Sequence, residues 1–506
     1  MSFDLIITNG TIVTSADILD PKVEIGVKDG KIIALGYSLP RGPKTQVLDA
    51  EGAYITPGGV DSHVHLAQAE SPDGDNFETG TRGAIAGGTT TVLAFASQRR
   101  TDDSLFPVLE AYHGKARGQS YCDYGFHFIL TNPTKHIVNE ELPVLVNKEG
   151  ISSVKLYMTY EPMKLDDRAI LDIMMAARQL GITTMIHAEN SDMIALITER
   201  LEARGLTDPF YHSVSRPQIA EGEATNRAIC LAELTDTPVL IVHVSSEMAM
   251  NHIREAQTRM LPIHGETCPH YLLLLSERMQ APDFEGAKAV CSPPLRHDLR
   301  DLSAIWRGVA NGTFTTLSSD HAPTKFSSPY GKTLGMKNGF PVFRNIPNGL
   351  PGIETRLPLI FNQTIGPNAK ISLTQFVQTT STKPARLYGL GGVKGDIAPG
   401  YDADLVIWYP PGHRFAADPD DTAGLCISAS MLHHNCDYTP YEGMKLMNWP
   451  RYTIIRGQIV WDRDNGGVIG SKGFGEFLKR KKGSVVTGQT GGLAQGMMDG
   501  ERELWL

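Results

Sequence analysis

The sequence has few cysteines, no long apolar run and no excess of positive charge. Six cysteines in 506 residues, with no C-x-x-C pair among them, exclude a disulfide-stapled scaffold and indicate a reducing compartment. No stretch approaches the ~18 apolar residues that cross a bilayer, and no signal-peptide pattern opens the chain. A net charge of −9 argues against a nucleic-acid partner. We therefore predict a cytoplasmic protein that binds neither membrane nor nucleic acid.

The sequence does contain ample material for a large core. Hydrophobic residues make up 41% of the chain and charged residues 20%, which excludes disorder as a description of the whole. The length predicts about three domains, or one large barrel with appendages. The G-x-S-x-G motif of many serine hydrolases is absent, so a nucleophilic serine of that kind is not expected.

The middle of the chain, residues 55–385, alternates between strand-like and helix-like segments. Amphipathic stretches such as 166–180 and 219–234 separate eight β-rich apolar runs. These runs are 60–65, 89–96, 126–130, 153–158, 183–188, 239–244, 261–265 and 314–318. The alternation predicts a fold of the α/β class, a (β/α)8 TIM barrel, because the glycine fingerprint of the rival doubly wound sheet is missing.

Both ends of the chain contain short strand-like runs instead. Turn signals at Asn9-Gly10 and Asp29-Gly30 punctuate residues 1–54, and the same texture returns in residues 386–470. We predict that these two segments form one small β-sandwich domain beside the catalytic barrel of residues 55–385. Residues 471–506 form a C-terminal tail with a basic run at 479–482. A solvated tail is the simpler expectation, and a place at a subunit interface is the alternative.

Histidines at the ends of predicted barrel strands carry the chemical signal. His63 and His65 end the first strand at positions i and i+2, so both side chains lie on one face. His187 ends the fifth strand, His243 the sixth and Asp320 the eighth. Because barrel active sites lie at the C-terminal ends of the strands, we expect these side chains to converge on one metal site.

Lys155 lies at the end of the fourth predicted strand. Four imidazoles and one carboxylate can hold two divalent ions, but they lack a bridging anion. A lysine ammonium has no lone pair, whereas reaction of the neutral amine with CO₂ gives a carbamate whose two oxygens can each bind one metal. From spacing alone, an ordinary salt bridge is the simpler interpretation of this lysine.

Ordered motifs along nearly the whole chain resemble the dihydropyrimidinase/hydantoinase family of cyclic amidohydrolases. The motifs are DSHVH (61–65), FETGTR (77–82), GGTTT (87–91), GISSVKLYMTY (150–160), HAEN (187–190), VHVS (242–245), CSPPLR (291–296), SDHAP (319–323) and IPNG (346–349). The resemblance implies two Zn²⁺ ions per subunit. Their implied ligands are His63, His65 and Asp320 on one ion, His187 and His243 on the other, and N6-carboxylated Lys155 between them.

The resemblance also implies a reaction and an assembly. A hydroxide that bridges the two ions would open the ring of a 5,6-dihydropyrimidine or a hydantoin and give an N-carbamoyl amino acid. Asp320 would pass the proton to the leaving nitrogen, and Tyr160 resembles the family's oxyanion tyrosine. Ser292 and Asn348 resemble positions whose backbone groups hold the cyclic amide edge of this small-molecule substrate. A homotetramer is implied, with a dimer as the alternative.

Allantoinase, dihydroorotase and an inactive scaffold are the alternative functions. Residues 266–271, ETCPHY, have an allantoinase or dihydroorotase character. Against dihydroorotase, position 67 is alanine where a substrate-binding arginine is expected. Some relatives of dihydropyrimidinase are non-catalytic cytoskeletal scaffolds that have lost metal ligands. The ligand set of this sequence is intact, which favours an enzyme.

Further features receive plainer interpretations. Arg99 and Arg100 follow the second predicted strand, where a solvated loop is the simpler expectation. If their side chains face the site, they favour acidic or polar ring substituents. His321 points away from Asp320 if the strand continues, so we expect it to support the site from behind. For His433 and His434 we expect an exposed or interface position.

Overall fold

The computed structural model describes residues 2–417 and 424–483. Its centre is a parallel eight-stranded sheet whose strands are neighbours in chain order. The sheet closes where the His65 amide donates to the His321 carbonyl at 2.8 Å. The strands are Gly59–Val64, Thr89–Ser97, Asp123–Ile129, Ser153–Tyr157, Thr183–His187, Val239–Ile241, Ile263–Thr267 and Phe314–Leu317. The predicted (β/α)8 barrel is confirmed.

The barrel strands are buried on both faces, which explains why they appear in the sequence as continuous apolar runs. Leu93 and Phe95 of the second strand pack with Tyr157, Met185 and Leu240 from other strands inside the barrel. Residues that alternate with them pack outward against the helices. The barrel interior is therefore a packed core, and its open end is the C-terminal end of the strands.

Seven α-helices of ten residues or more cover the described part of the barrel. The two predicted helices lie within one residue of their expected bounds. Asp166 caps one of them by accepting a hydrogen bond from the Ala169 amide, and Gly181 ends it with a positive φ of 65°. The seven are Phe77–Ala86, Phe106–Ala116, Asp167–Leu180, Ser191–Glu202, Gln218–Thr235, Glu247–Thr258 and Leu299–Ala310.

Shorter helical segments occupy the loops. The short α-helices are Leu142–Val144, Tyr211–Ser215, Pro269–Leu273, Arg356–Phe361, Leu373–Val377 and Lys383–Leu387. Turns of 3₁₀-helix are Ser276–Gln280, Glu285–Ala289, Lys332–Gly335, Phe343–Asn345 and Ala429–Met431. π-helical turns are Ile137–Glu141, Leu145–Glu149 and Gln378–Thr382. In the described part of the chain, none of the helices is long and apolar enough to cross a bilayer.

Strands from both ends of the chain share the second layer of the molecule, as predicted. A six-stranded sheet contains Thr11–Ile12, Tyr54–Pro57, Leu405–Trp408, Tyr452–Ile455, Gln458–Asp462 and Gly467–Val468. A four-stranded sheet contains Lys31–Gly36, Glu24–Lys28, Leu5–Thr8 and Gln46–Asp49. Side chains such as Ile7, Ile32 and Leu405 join the two sheets in one apolar core. Two small ribbons pair Met336–Lys337 with Phe340–Pro341 and Leu425–Cys426 with Lys445–Leu446.

The described part of the C-terminal tail, residues 471–483, lies against the N-terminal end of the barrel. The Leu478 amide donates to the Tyr124 carbonyl at 2.7 Å, and the Arg480 amide donates to the Gly150 carbonyl at 3.0 Å. The Arg480 side chain is only 4% exposed and donates to Ser153 Oγ at 3.0 Å. The expectation of a solvated tail is therefore wrong for Arg480, which fills the closed end of the barrel, whereas Lys479, Lys481 and Lys482 are exposed. Residues 484–506 lie outside the described residues, and the subunit interface stays a prediction.

Candidate active site

The structure brings the candidate ligands together at the mouth of the barrel. Ligand atoms of His63, His65 and Asp320 lie within 4.8 Å of one another. The ring centroids of His63 and His243 are 5.4 Å apart, and those of His187 and His243 are 4.5 Å apart. A cavity of about 1170 Å³ opens above them. Its lining includes His63, His65, Tyr160, His187, His243, Ser292, Asp320 and Asn348.

Three of these residues have a strained backbone conformation with a positive φ. Tyr160, His243 and Asp320 have φ angles of 67°, 38° and 45°. Non-glycine residues rarely adopt this left-handed region, because Cβ approaches the following backbone. The strain lies where each residue leaves or follows a barrel strand, a position where such strain is typical of functional sites.

His63 is held by the carboxylate of Glu266. His63 Nδ1 lies 2.6 Å from Glu266 Oε1, so its Nε2 faces the site, 3.0 Å from Asp320 Oδ1. Burial and Lys155 lower the pKa of His63, but Glu266 and Asp320 outweigh them, so the pKa is raised above its ordinary value. Burial likewise opposes ionisation of Asp320, but His63 and His65 hold its pKa well below the usual range. Asp320 is therefore a carboxylate near neutral pH.

Lys155 has no carboxylate oxygen within 4.0 Å of its Nζ among the described residues, so the salt-bridge interpretation is wrong. Its side chain is fully buried, with Nζ 3.4 Å from His63 Nε2. The rings of Phe95 and Tyr157 lie 5.1 and 5.2 Å from the same atom. Burial lowers the pKa of Lys155 to about 8. Near pH 7 about one amine in ten is then neutral, against one in a few thousand for a free lysine.

His187 and His243 form the other side of the cluster. His187 Nε2 lies 2.7 Å from Glu189 Oε2, which leaves Nδ1 free of that carboxylate. Burial lowers the pKa of His187 and lowers that of His243 much further, so both rings are neutral. His243 Nδ1 is buried with no hydrogen-bond partner in the described structure. Neutral imidazoles gathered beside a carboxylate and an amine are a donor set suited to divalent metal ions.

A hydroxyl and an amide group face this cluster from the side. Asn348 Nδ2 donates to the Tyr160 hydroxyl at 3.0 Å, and Ser292 Oγ donates to Glu189 Oε2 at 2.7 Å. Burial raises the pKa of Tyr160 to about 12, so the phenol keeps its proton. Arg216 Nη1 completes the surroundings of Glu189 at 3.1 Å.

Sequence reasoning missed the carboxylates that orient the imidazoles. Glu189 follows His187 by two residues, and Glu266 lies in the seventh barrel strand, Ile263–Thr267. A charged residue inside an apolar strand was the available signal for Glu266, since unpaired carboxylates are rarely buried. Partners of this kind commonly hold a histidine ligand in one tautomer and orientation.

A second group of potential ligands lies behind the site. Side-chain atoms of Asp75, His434 and Cys436 come within 4.8 Å of one another, and all three residues are buried. The Gly352 amide donates to His321 Nδ1 at 3.1 Å, so His321 Nε2 carries the proton and faces Asp75 Oδ2 at 3.2 Å. Burial by itself would raise the pKa of Asp75, but the contact with His321 holds it below its usual range. This group is a hydrogen-bonded support for the loop after the eighth strand.

That arrangement bears on two expectations from sequence. His321 lies behind the site, as expected. The expectation of an exposed or interface position is wrong for His434, which is 8% exposed because it packs with Asp75 beneath the barrel rim. His433 is partly buried, with Nδ1 2.8 Å from Glu354 Oε1.

The two arginines at the mouth differ in what they contact. Both line the cavity. Arg100 donates to the Pro162 carbonyl at 2.9 Å and to the Lys164 carbonyl at 2.6 Å, so its guanidinium fixes the loop that follows Tyr160. Arg99 is exposed. Only Arg99 therefore stays a candidate for contact with a polar ring substituent.

The barrel carries imidazoles, an aspartate and a buried lysine at the ends of its strands. This combination defines an amidohydrolase. The sequence profile described as Amidohydrolase family matches residues 54–460. A D-hydantoinase from Ralstonia pickettii is 40% identical over 483 residues, covering 95% of this chain and 99% of the relative. Within the amidohydrolases, the chain belongs to the dihydropyrimidinase/D-hydantoinase family.

Two further comparisons agree along almost the full length. A D-hydantoinase from Geobacillus stearothermophilus is 40% identical over 491 residues, covering 96% of this chain and 98% of the relative. The crystal structure of a dihydropyrimidinase from Brevibacillus agri has a TM-score of 0.87 and 39% identity. That match covers 94% of this chain and 98% of the other.

Proposed function

We propose that this protein hydrolyses the ring amide of hydantoins and 5,6-dihydropyrimidines to N-carbamoyl amino acids. One observation carries the proposal: His63, His65 and Asp320 converge beside Lys155 in a chain that is 40% identical to a D-hydantoinase. The neutral imidazoles of His187 and His243 and the ionised Asp320 suit divalent metal ions such as Zn²⁺, and the neutral fraction of Lys155 suits a bridging carbamate. The proposed ligands are His63, His65, Lys155, His187, His243 and Asp320.

The bound ions would supply Lewis acidity and lower the pKa of water. The chain's own groups do the rest of the work. Asp320, an ionised carboxylate, takes the proton of the attacking water and delivers it to the ring nitrogen as the C–N bond breaks. The protonated Tyr160 hydroxyl donates to the carbonyl oxygen, where negative charge develops. Backbone groups at Ser292 and Asn348 hold the amide edge of the ring.

The surroundings of the site support these roles. Asn348 Nδ2 donates to the Tyr160 hydroxyl, so the phenolic proton is free to point at the substrate. Glu189 accepts hydrogen bonds from Ser292 and Arg216 and also contacts the ring of His187. Glu189 therefore connects Ser292, which we place at the amide edge of the substrate, to a proposed metal ligand. We further propose a cytoplasmic homotetramer with domain limits near residues 54, 385 and 470.

The test is turnover of four ring compounds by zinc-loaded protein, followed as the ring-opened product. We expect hydantoin and 5,6-dihydrouracil to be hydrolysed, and allantoin and dihydroorotate to react far more slowly. Preference for allantoin would replace the substrate class and retain the metal site. Lack of turnover on all four, with two zinc ions bound per chain, would contradict the proposed function.

A further inference from the structure

Lys332 is a lysine buried behind the substrate side of the site. It begins the turn Lys332–Gly335 in the long loop after the eighth strand, and its side chain is fully buried. Its Nζ donates to three backbone carbonyls, those of Val290 at 2.8 Å, Pro347 at 2.6 Å and Gly349 at 2.8 Å. Three N–H groups thus meet three acceptors, which uses every donor that an ammonium has.

The three carbonyls belong to the two loops that carry the proposed substrate-binding residues. Pro347 and Gly349 lie on either side of Asn348, and Val290 lies two residues before Ser292. The loops also touch directly, since the Gly349 amide donates to the Val290 carbonyl at 3.2 Å. Asn348 in turn contacts the Tyr160 hydroxyl. A single side chain therefore ties together the supports of Ser292, Asn348 and Tyr160.

Packing alone does not account for a lysine here. No carboxylate oxygen lies within 4.0 Å of Lys332 Nζ among the described residues, and burial lowers the pKa of Lys332 to about 7. The three carbonyl acceptors favour the ammonium, because a neutral amine has only two N–H groups to offer them. Burial of an ammonium without a counter-ion is unfavourable, and an apolar side chain would fill the same space without that cost. Hydrogen bonds from a charged donor are short and directional, so they fix the acceptors more strictly than packing does.

We propose that Lys332 is a positioning residue that sets the spacing of the Ser292 and Asn348 loops and thereby the affinity for the ring. This inference rests on the proposed cyclic amide hydrolysis, because Lys332 is not among the described residues that line the cavity and acts only through the loops of Ser292 and Asn348. Without the ammonium, three buried carbonyls lose their donor, and the two loops separate or rotate. The effect falls on substrate binding first, and on the chemical step only through the Asn348 contact to Tyr160.

The experiment compares Lys332→Met, Lys332→Gln and the control Lys337→Met in zinc-loaded protein. Lys337 lies in the same loop and is exposed, so its variant makes the same chemical change away from the two loops. We measure kcat, KM and zinc per subunit with hydantoin as substrate. Lys332→Met removes all three hydrogen bonds of the ammonium. We expect KM to rise at least about tenfold, which corresponds to the free energy of one hydrogen bond from a charged group. The expected fall in kcat is smaller, with two zinc ions retained and Lys337→Met unchanged.

Lys332→Gln retains two N–H donors and is expected to give an intermediate KM. It is also the deciding variant if Lys332→Met does not fold. A KM within twofold of wild type in the folded variants would overturn the positioning role. Loss of zinc and kcat in equal proportion, at constant KM, would overturn it as well. Absence of turnover in the wild-type enzyme would instead contradict the proposed function, so the two failures are distinguishable.

Discussion

Two lysines buried at opposite ends of the barrel have opposite electrostatic surroundings. At the N-terminal end, Lys394 Nζ lies 2.6 Å from Asp123, 2.8 Å from Asp404 and 3.0 Å from Asp402. Burial opposes its charge, but these carboxylates raise its pKa above the ordinary value. At the mouth, burial lowers the pKa of Lys155 to about 8, with two aromatic rings in place of carboxylate partners.

The different surroundings of Lys394 and Lys155 indicate that the closed end of the barrel serves stability and the open end serves function. At the closed end, Lys394 has three carboxylate partners. Removing the lysine or one of the carboxylates therefore leaves a buried charge without full compensation. At the open end, His243 Nδ1 has no hydrogen-bond partner among the described residues, and the backbone at Asp320 is strained, with a φ of 45°. We expect both groups to bind a metal or a substrate, and Asp320 Oδ1 also lies 3.0 Å from His63 Nε2. This matches the general division of labour between the two ends of TIM barrels.

The largest effect on activity is expected at the open end. Asp320→Asn keeps the size of the side chain and removes the proton acceptor, so we expect kcat for hydantoin to fall about 10³-fold or more. Thermal unfolding should occur at the wild-type temperature or below it, because His63 and His65 hold the pKa of Asp320 below its usual range and the carboxylate therefore stabilises the folded state near neutral pH. Turnover within tenfold of wild type at normal zinc content would show that another group moves the proton.

The corresponding change at the closed end is Lys394→Met. It leaves the buried Asp404 without a cation, while Asp123 keeps Arg456 and Asp402 keeps Lys31. We therefore expect the free energy of unfolding to fall by about 3–5 kcal/mol. Denaturant unfolding measures this, and kcat per folded molecule should stay within twofold. Lys31→Met is the matched control, because Lys31 also contacts Asp402 but is half exposed. It should cost less than about 1 kcal/mol. Equal losses in the two variants would contradict the contrast between the ends.

Tyr160→Phe removes one hydroxyl at the open end. We expect kcat to fall about 10²-fold, the usual loss for one oxyanion donor, with a smaller change in KM. Asn348 loses its acceptor in the same variant, and Asn348→Ala serves as the comparison for that contact alone. If both variants lose equal activity, the hydroxyl acts by holding Asn348 rather than by contacting the substrate.

The sequence was sufficient for the barrel and for most of the mouth. Each barrel strand is buried on both faces and therefore appears as an apolar run, so its bounds were predicted within three residues. His187 and His243 were identifiable because the fold places the ends of all eight strands at one rim.

Contacts between distant segments were not predictable in the same way. Lys332 donates to carbonyls that lie fifteen or more residues away in two loops, and no local pattern marks a backbone acceptor. Arg480 lies in a glycine-rich basic tail, whose composition is typical of a solvated segment, yet it is buried against strands more than 300 residues earlier. The burial of Glu266 could not be interpreted from sequence, because its partner, His63, lies in a distant strand.

The smallest effect, and the sharpest test of the comparison, concerns Arg480. Its guanidinium contacts the Phe126 carbonyl and Ser153 Oγ, and Ser153 Oγ also contacts His127 Nδ1. Arg480→Met removes two hydrogen bonds from a charged donor and preserves most of the apolar volume, so we expect about 1–3 kcal/mol of lost stability.

The contact chain from Arg480 continues toward the site, since His127 Nε2 lies 3.0 Å from the carbonyl of Ser62, the residue before His63. If the two ends are independent, Arg480→Met unfolds earlier in denaturant but keeps the wild-type kcat, KM and zinc content. A fall in kcat beyond threefold at full zinc loading would show that the closed end also positions His63. The separation of stability from function would then apply to Lys394 and not to Arg480.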